Sequence, residues 1–186
     1  MKKILFLNAS AQNGVCLSAI EAIQQNFWLE YSTEVVSLRD YDIEQCTGCM
    51  LCLNSSTCPI EDKLHILTEK IVDSDIVVVA TPSYFYNVSG LLKTYIDRSR
   101  ELLHSKALYN KKFIYIYCAH DNPDTVKPYL DTALFGFNYC HHTTNLGAYC
   151  IQVNNDMNIK DETGFLSTIS KITDLINANI WFLFFK

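Results

Sequence analysis

Apolar residues recur along this chain in two alternating rhythms, short unbroken runs and helically spaced stripes. Residues 3–8 hold the run Ile4-Leu5-Phe6-Leu7 and read as a buried strand, 17–28 as a helix and 33–38 as a second strand, with 9–16 a polar loop between the first two. Residues 75–80 have the continuous β-branched character of a central parallel strand, which Thr81-Pro82 ends. Further strands are expected at 113–118 and 144–151, and further helices at 62–72, 89–103, 125–135 and 162–177. Five strands alternating with five helices predict an α/β fold, with a parallel sheet covered on both faces and ligands bound beyond the carboxyl ends of the strands, where the strand order reverses. No repeat, low-complexity tract or linker interrupts the pattern, so residues 1–186 are expected to form a single domain.

Composition narrows the function. With 49% hydrophobic and 19% charged residues the chain can bury a sizeable core. A formal net charge of -5 and a pI near 5.5 argue against a general nucleic-acid or anionic-membrane surface and favour small-molecule chemistry. The eight cysteines raise the question of a secreted disulfide scaffold, but Met1 to Asn8 has only a short apolar run and no small-residue cleavage pattern. A cytoplasmic protein with reduced thiols is expected. No stretch is long enough to span a bilayer, and Trp181 to Phe185 reads as a short apolar tail suited to a buried contact.

Three segments carry candidate chemistry. Half of the cysteines, Cys46, Cys49, Cys52 and Cys58, fall in the spacing C-x2-C-x2-C-x5-C with Pro59 following, close to ferredoxin-type cluster spacing. Zinc is the main alternative metal, although structural zinc sites usually join two separated ligand pairs, and a metal-free loop that oxidises to disulfides is the third reading. The loop from Asn8 to Ser18 places small and polar residues where a helix begins, with Ser10, Gln12, Gly14, Cys16 and Ser18 as candidate anion contacts. It contains neither a P-loop nor G-x-G-x-x-G, and its Ser and Asn residues also suit plain helix caps. The third segment, Thr81-Pro82-Ser83-Tyr84-Phe85-Tyr86-Asn87 and on to Leu91-Leu92-Lys93 and Asp97-Arg98, is the most specific.

Over 80–98 above all, and in element order from Met1 to about Cys150, the chain resembles the NADPH-dependent FMN reductase family of flavodoxin-like proteins. The resemblance implies a flavodoxin-like three-layer sandwich with a five-stranded parallel sheet in the order 2-1-3-4-5. It implies that FMN binds with Pro82, Ser83, Tyr84, Phe85, Tyr86 and Asn87 around its ring, and that NAD(P)H is the co-substrate. Aromatic walls and a few fixed donors are what a flat, electron-poor ring requires. The family's phosphate loop usually carries an arginine and a threonine where this chain has Gln12 and Cys16, and its glycine-rich turn after the fourth strand is here Ala119-His120-Asp121-Asn122-Pro123. Ala119 and His120 are the candidate ring contacts there, His120 toward flavin or substrate, with a solvated loop histidine as the alternative. Within the family the four cysteines resemble those of iron-sulfur flavoproteins, in which such a motif holds a [4Fe-4S] cluster, often beside the FMN of a neighbouring subunit.

The resulting expectation is an FMN-dependent oxidoreductase that takes hydride from NAD(P)H and passes electrons to a quinone, flavin or protein acceptor, through the cluster where one is held. A non-enzymatic flavodoxin- or ferredoxin-like electron carrier is the alternative. No side chain is assigned a catalytic proton, no nucleic-acid or membrane partner is expected, and a homodimer or tetramer is. Cys118, Cys140 and Cys150 are expected in the core, His141-His142 as a surface pair, and Asp97-Arg98 at helix-end or subunit contacts.

Overall fold

The computed structural model describes residues 1–27, 31–55, 57–156 and 158–181, with residue 181 in its backbone only. The expected helix end at Trp28 and the tail 182–185 lie outside the described residues. Strands β1 (Lys2–Asn8), β2 (Tyr31–Ser37), β3 (Ile76–Pro82), β4 (Lys112–Ala119) and β5 (Thr144–Gln152) form one parallel sheet in the order β2-β1-β3-β4-β5. The helices are α1 (Val15–Gln24), α2 (Cys52–Ser55), α3 (Leu64–Asp73), α4 (Gly90–Arg98), α5 (Pro123–His141) and α6 (Glu162–Trp181). Two short 3-10 turns, Leu38–Tyr41 and Ser99–Leu102, follow β2 and α4.

The sheet separates two cores because successive strand residues face opposite ways. Leu5 and Leu7 of β1, Val77 and Val79 of β3 and Tyr115 and Tyr117 of β4 pack with α3, α4 and α5. Ile4, Phe6, Ile76, Val78, Ile114 and Ile116 pack with α1 and α6. Every residue of β3 is buried, which accounts for its unbroken run of β-branched residues. The two buried tyrosines of β4 keep their hydroxyls paired, Tyr115 donating to Asn138 Oδ1 at 2.7 Å and Tyr117 to Asp131 Oδ1 at 2.9 Å.

Several element limits differ from expectation. Helix α1 starts at Val15, so the end of the polar loop is already helical, and α4 stops at Arg98, its expected last turn being the 3-10 segment. Helix α2, within the cysteine loop, is too short to show a period. Helix α5 runs past the expected end at Phe135 to His141 and is closed by His142 in the left-handed region at φ 52°. Its buried residues Val126, Leu130, Leu134, Phe137 and His141 keep helical spacing through Gly136.

That extension reverses two expectations. Cys140 is exposed on the outer face of α5 and is not core, and Cys150 is half-buried. His141 is not a surface residue: it is buried, with its ring Nε2 3.0 Å from Ser99 Oγ, and burial pulls its pKa down to about 4. An unfolded histidine takes up its proton near pH 6.5, whereas the folded one resists until about 4. Urea unfolding across pH is therefore expected to show full stability from this residue above about pH 6.5 and its progressive loss as the pH falls toward 4. His141→Gln should flatten that part of the slope.

Candidate functional site

At the carboxyl edge of the sheet the ends of β1 and β3 lie side by side, and their connections leave toward opposite faces. Buried side chains tie these connections together. Asn8 accepts from the Ser10 amide at 3.1 Å and donates to Ser37 Oγ at 3.3 Å. Ser89, the N-cap of α4, accepts from Leu92 N at 3.1 Å while donating to the Ala9 carbonyl at 2.6 Å, and its amide donates to Thr81 Oγ1 at 3.2 Å. Ser83 N reaches Cys118 O, and Val153 N reaches Ala119 O, both at 2.8 Å. The loops after β1, β3, β4 and β5 are thus fixed to one another.

Between them opens a cleft of about 480 Å³. Ser10, Gln12, Gly14, Cys16 and Ser18 line one end, and Pro82 and Tyr84 another wall, so seven of the thirteen expected flavin contacts share it. Ser83, Phe85, Tyr86, Ala119 and His120 line a smaller cavity of about 240 Å³ along the same edge. Asn87 lines neither; its side-chain oxygen accepts from Val88 N at 2.8 Å. Sequence reasoning missed the wall built by Val153, Asp156, Asn158 and Ile159. A signal was present, since Asn154-Asn155-Asp156 marks a turn straight after a strand. Asn154 Oδ1 shapes that loop by accepting from the amides of Asp156 and Asn158.

The α1 end of the cleft suits an anion. Gly14, the N-cap, offers no side-chain cap to the first turn, and that turn carries no acid to compete for its amides. Ser10 Oγ accepts from Gln12 N at 3.2 Å, drawing the loop into a tight turn.

Beyond Pro82 the chain makes a two-residue hairpin in which Tyr84 and Asn87 exchange both backbone hydrogen bonds at 3.0 Å. Phe85 and Tyr86 between them have φ of 50° and 58°, a left-handed pair that ordinarily favours glycine or asparagine. Such a turn uses the amides of its flanking residues and leaves those at its tip for another acceptor. The Tyr86 hydroxyl donates to Asp121 at 2.6 Å, which pushes its pKa up, and its ring meets Tyr129 edge-on. Phe85 is wholly exposed. Left-handed backbone under two aromatic side chains at a cleft edge marks this turn as a candidate functional element.

The cysteine loop lies apart from the cleft, with no lining residue in common between them. Gly48 at φ 70° and Met50 at φ 63° bend the loop, leaving Cys46 and Cys49 exposed and Cys52 and Cys58 half-buried. Hydrogen bonds from the Leu51 backbone and then the Thr47 side chain lower the Cys49 pKa. Burial raises that of Cys52, with Cys58, Cys46 and Cys49 adding to it and Arg100 opposing. All three neighbouring thiols therefore act on Cys52, and a bound cation would relieve that repulsion. Among the described residues no three His, Cys, Asp or Glu side chains are gathered as a metal site. The four sulfurs match a cluster in number but are not gathered into a ligand set.

Arg98, the last residue of α4, makes a helix-end contact within the chain and anchors this loop. Its guanidinium is buried and grips Asp62 with Nη1 to Oδ2 at 2.7 Å and Nη2 to Oδ1 at 3.3 Å, while Nη1 also donates to Glu44 O at 2.7 Å. Burial alone would raise the Asp62 pKa, but the Arg98 bond and the amides of Leu64 and Glu44 outweigh it and hold the carboxyl below its ordinary value. Glu101 Oε2 accepts from Cys58 N at 2.8 Å, fixing the far end of the motif.

Comparison with known proteins agrees with this geometry. The family model for NADPH-dependent FMN reductase matches residues 2–139. An iron-sulfur flavoprotein of Archaeoglobus fulgidus is 37% identical over 99 residues, 53% of this chain and 49% of that one. One from Methanosarcina thermophila is 34% identical over 83 residues, 44% of this chain and 43% of that one. The chain spans about half the length of the curated relatives it matches. Among solved structures, an azoreductase of Bacillus anthracis superposes with TM-score 0.69 at 15% identity, over 96% of this chain and 100% of that one. The Trp repressor binding protein of Bacillus subtilis does so with TM-score 0.68 at 20% identity, over 90% and 96%. At these identities the structural likeness establishes the fold.

Two substitutions separate scaffold from site. Arg98→Ala leaves the Asp62 carboxylate buried without its partner and is expected to cost about 3–5 kcal/mol in urea unfolding. Phe85→Gly removes an exposed side chain from a left-handed position and should leave stability unchanged or raise it by up to about 1 kcal/mol, while weakening flavin binding in a fluorescence titration.

Proposed function

The chain belongs to the NADPH-dependent FMN reductase family, and we propose that it is an FMN-dependent oxidoreductase that draws reducing equivalents from NADH or NADPH and hands them to a small-molecule or protein acceptor. The observation that carries this reading is the cleft at the strand-order switch, where flavodoxin-like sheets hold FMN, with an uncapped helix start at one end and the Pro82–Tyr84 wall at another. Bound FMN supplies a ring that accepts a hydride and releases two electrons together or singly.

The chain does the rest. The first-turn amides of α1 and the Ser10 hydroxyl receive the phosphate. Pro82 and Tyr84 flank the ring, and the tip amides of Phe85 and Tyr86 are donors for its carbonyl and N5 edge. The Asp121 bond keeps the Tyr86 ring against the loop after β4, so the turn approaches the flavin in one orientation. Exposed Phe85 offers a flat surface for the nicotinamide, and orientation of this kind is where such a protein gains rate.

In the same reading Cys46, Cys49, Cys52 and Cys58 hold a [4Fe-4S] cluster, which supplies single-electron transfer to the acceptor. The iron-sulfur flavoproteins among the relatives support it, as does the mutual influence of the four thiols. Because cleft and cysteine loop share no lining residue, the loop would serve the flavin of a neighbouring copy in a homodimer or tetramer. The proposal places this assembly in the cytoplasm; among the described residues no helix is long and apolar enough to cross a membrane.

Anaerobic titration of flavin-free protein with FMN, followed by NADH or NADPH, tests the proposal. Tight FMN binding and bleaching of the flavin band by a nicotinamide are expected; FMN binding without bleaching would make the chain an electron carrier, and no FMN binding would end the flavin reading. Iron and acid-labile sulfide near four per chain are expected after anaerobic purification. Cys52→Ser should lose both without losing FMN.

A further inference from the structure

The loop from Asn8 to Ser18 contains no lysine or arginine, so a flavin phosphate at α1 would meet only hydroxyls and partial charges from the segment that holds it. The structure brings a full positive charge to this loop from another connection. Arg39, in the 3-10 turn after β2, donates Nη1 to the Ala11 carbonyl at 3.1 Å and Nη2 to Asn13 Oδ1 at 2.7 Å. These two acceptors lie on either side of Gln12, so the planar fork clamps the loop at two points.

The clamp has an electrostatic consequence. A backbone loop binds an anion only when its amides face the ligand and its carbonyls turn away. Arg39 holds one backbone oxygen and one side-chain oxygen of the loop, groups that would otherwise repel a phosphate in the cleft lined by Asn13 and Gly14. Its charge is only partly offset: the Asp40 carboxylate, 3.6 Å from Nε, is 66% exposed, whereas the Arg39 side chain is 35% exposed. Asp156 is the acidic side chain lining the cleft, on the wall supplied by 153–159.

We infer that Arg39 is the residue that selects a phosphorylated flavin: from outside the cleft it positions the loop after β1 and provides the positive potential that the loop lacks, so that FMN is bound in preference to riboflavin. This rests on the flavin reading above. The arginine that family phosphate loops carry within the loop is replaced here by one delivered from the end of β2.

Flavin-free wild type, Arg39→Ala and Arg39→Lys are titrated with FMN and with riboflavin by flavin fluorescence, at low and high salt. Arg39→Ala is expected to weaken FMN binding roughly 10- to 100-fold while riboflavin binding stays within about twofold, as loss of the loop's position and of a nearby positive charge felt by the phosphate alone predicts. Arg39→Lys should recover part of the loss, and the gap between wild type and Arg39→Ala should narrow at high salt. Unchanged FMN affinity in Arg39→Ala, or an equal loss for FMN and riboflavin, would overturn the inference. Wild type that binds neither flavin would instead overturn the flavin reading beneath it.

Discussion

A parallel sheet buried on both faces leaves a protein few places for chemistry. Its central strands are closed to solvent, as β3 shows along its whole length, and its helices are committed to covering it. What stays open is the carboxyl edge, where connections leave for opposite faces and cannot close over the gap between them. The cleft, the strained turn and the Arg39 clamp all belong to that edge. The Ser89 hydroxyl does most to hold it in shape, because one oxygen caps α4 and bonds the first residue after β1.

The fold was largely legible in the sequence because sheet burial writes directly into residue choice. Ile4 to Leu7 and Ile76 to Ala80 face helices on both sides, and no reading other than central strands accommodates them. Errors fell where tertiary contacts override local pattern. Helix α5 was expected to end at Phe135, yet Phe137 and His141 beyond it pack inside and carry it onward. His141 then becomes a buried neutral group bonded to Ser99, a role that two adjacent histidines in a sequence do not announce.

The candidate site was legible in part. The loops after β1 and β3 carry their chemistry locally, in small residues before a helix and in an aromatic turn, so their residues were nameable in advance. Arg39 and the wall of Val153, Asp156, Asn158 and Ile159 were not named: the turn at 154–156 is a local signal, but nothing local says that either segment reaches the site. Asp97-Arg98 was legible as a helix-end pair, and Arg98 does end α4, but the sequence does not announce that it holds Asp62 and the start of the cysteine loop. A buried ion pair placed there gives the cysteine loop, with Cys46 and Cys49 exposed, a fixed base.

The central claim is that this edge holds FMN with its phosphate at the start of α1 and its ring against the turn at Tyr84. A crystal structure of the FMN complex tests it most directly. The account predicts the phosphate among the amides of residues 13–16, with Arg39 still bonded to Ala11 and Asn13 behind it, and the ring edge at the amides of Phe85 and Tyr86. A flavin bound away from the carboxyl edge, or one whose phosphate sits elsewhere than α1, would contradict it.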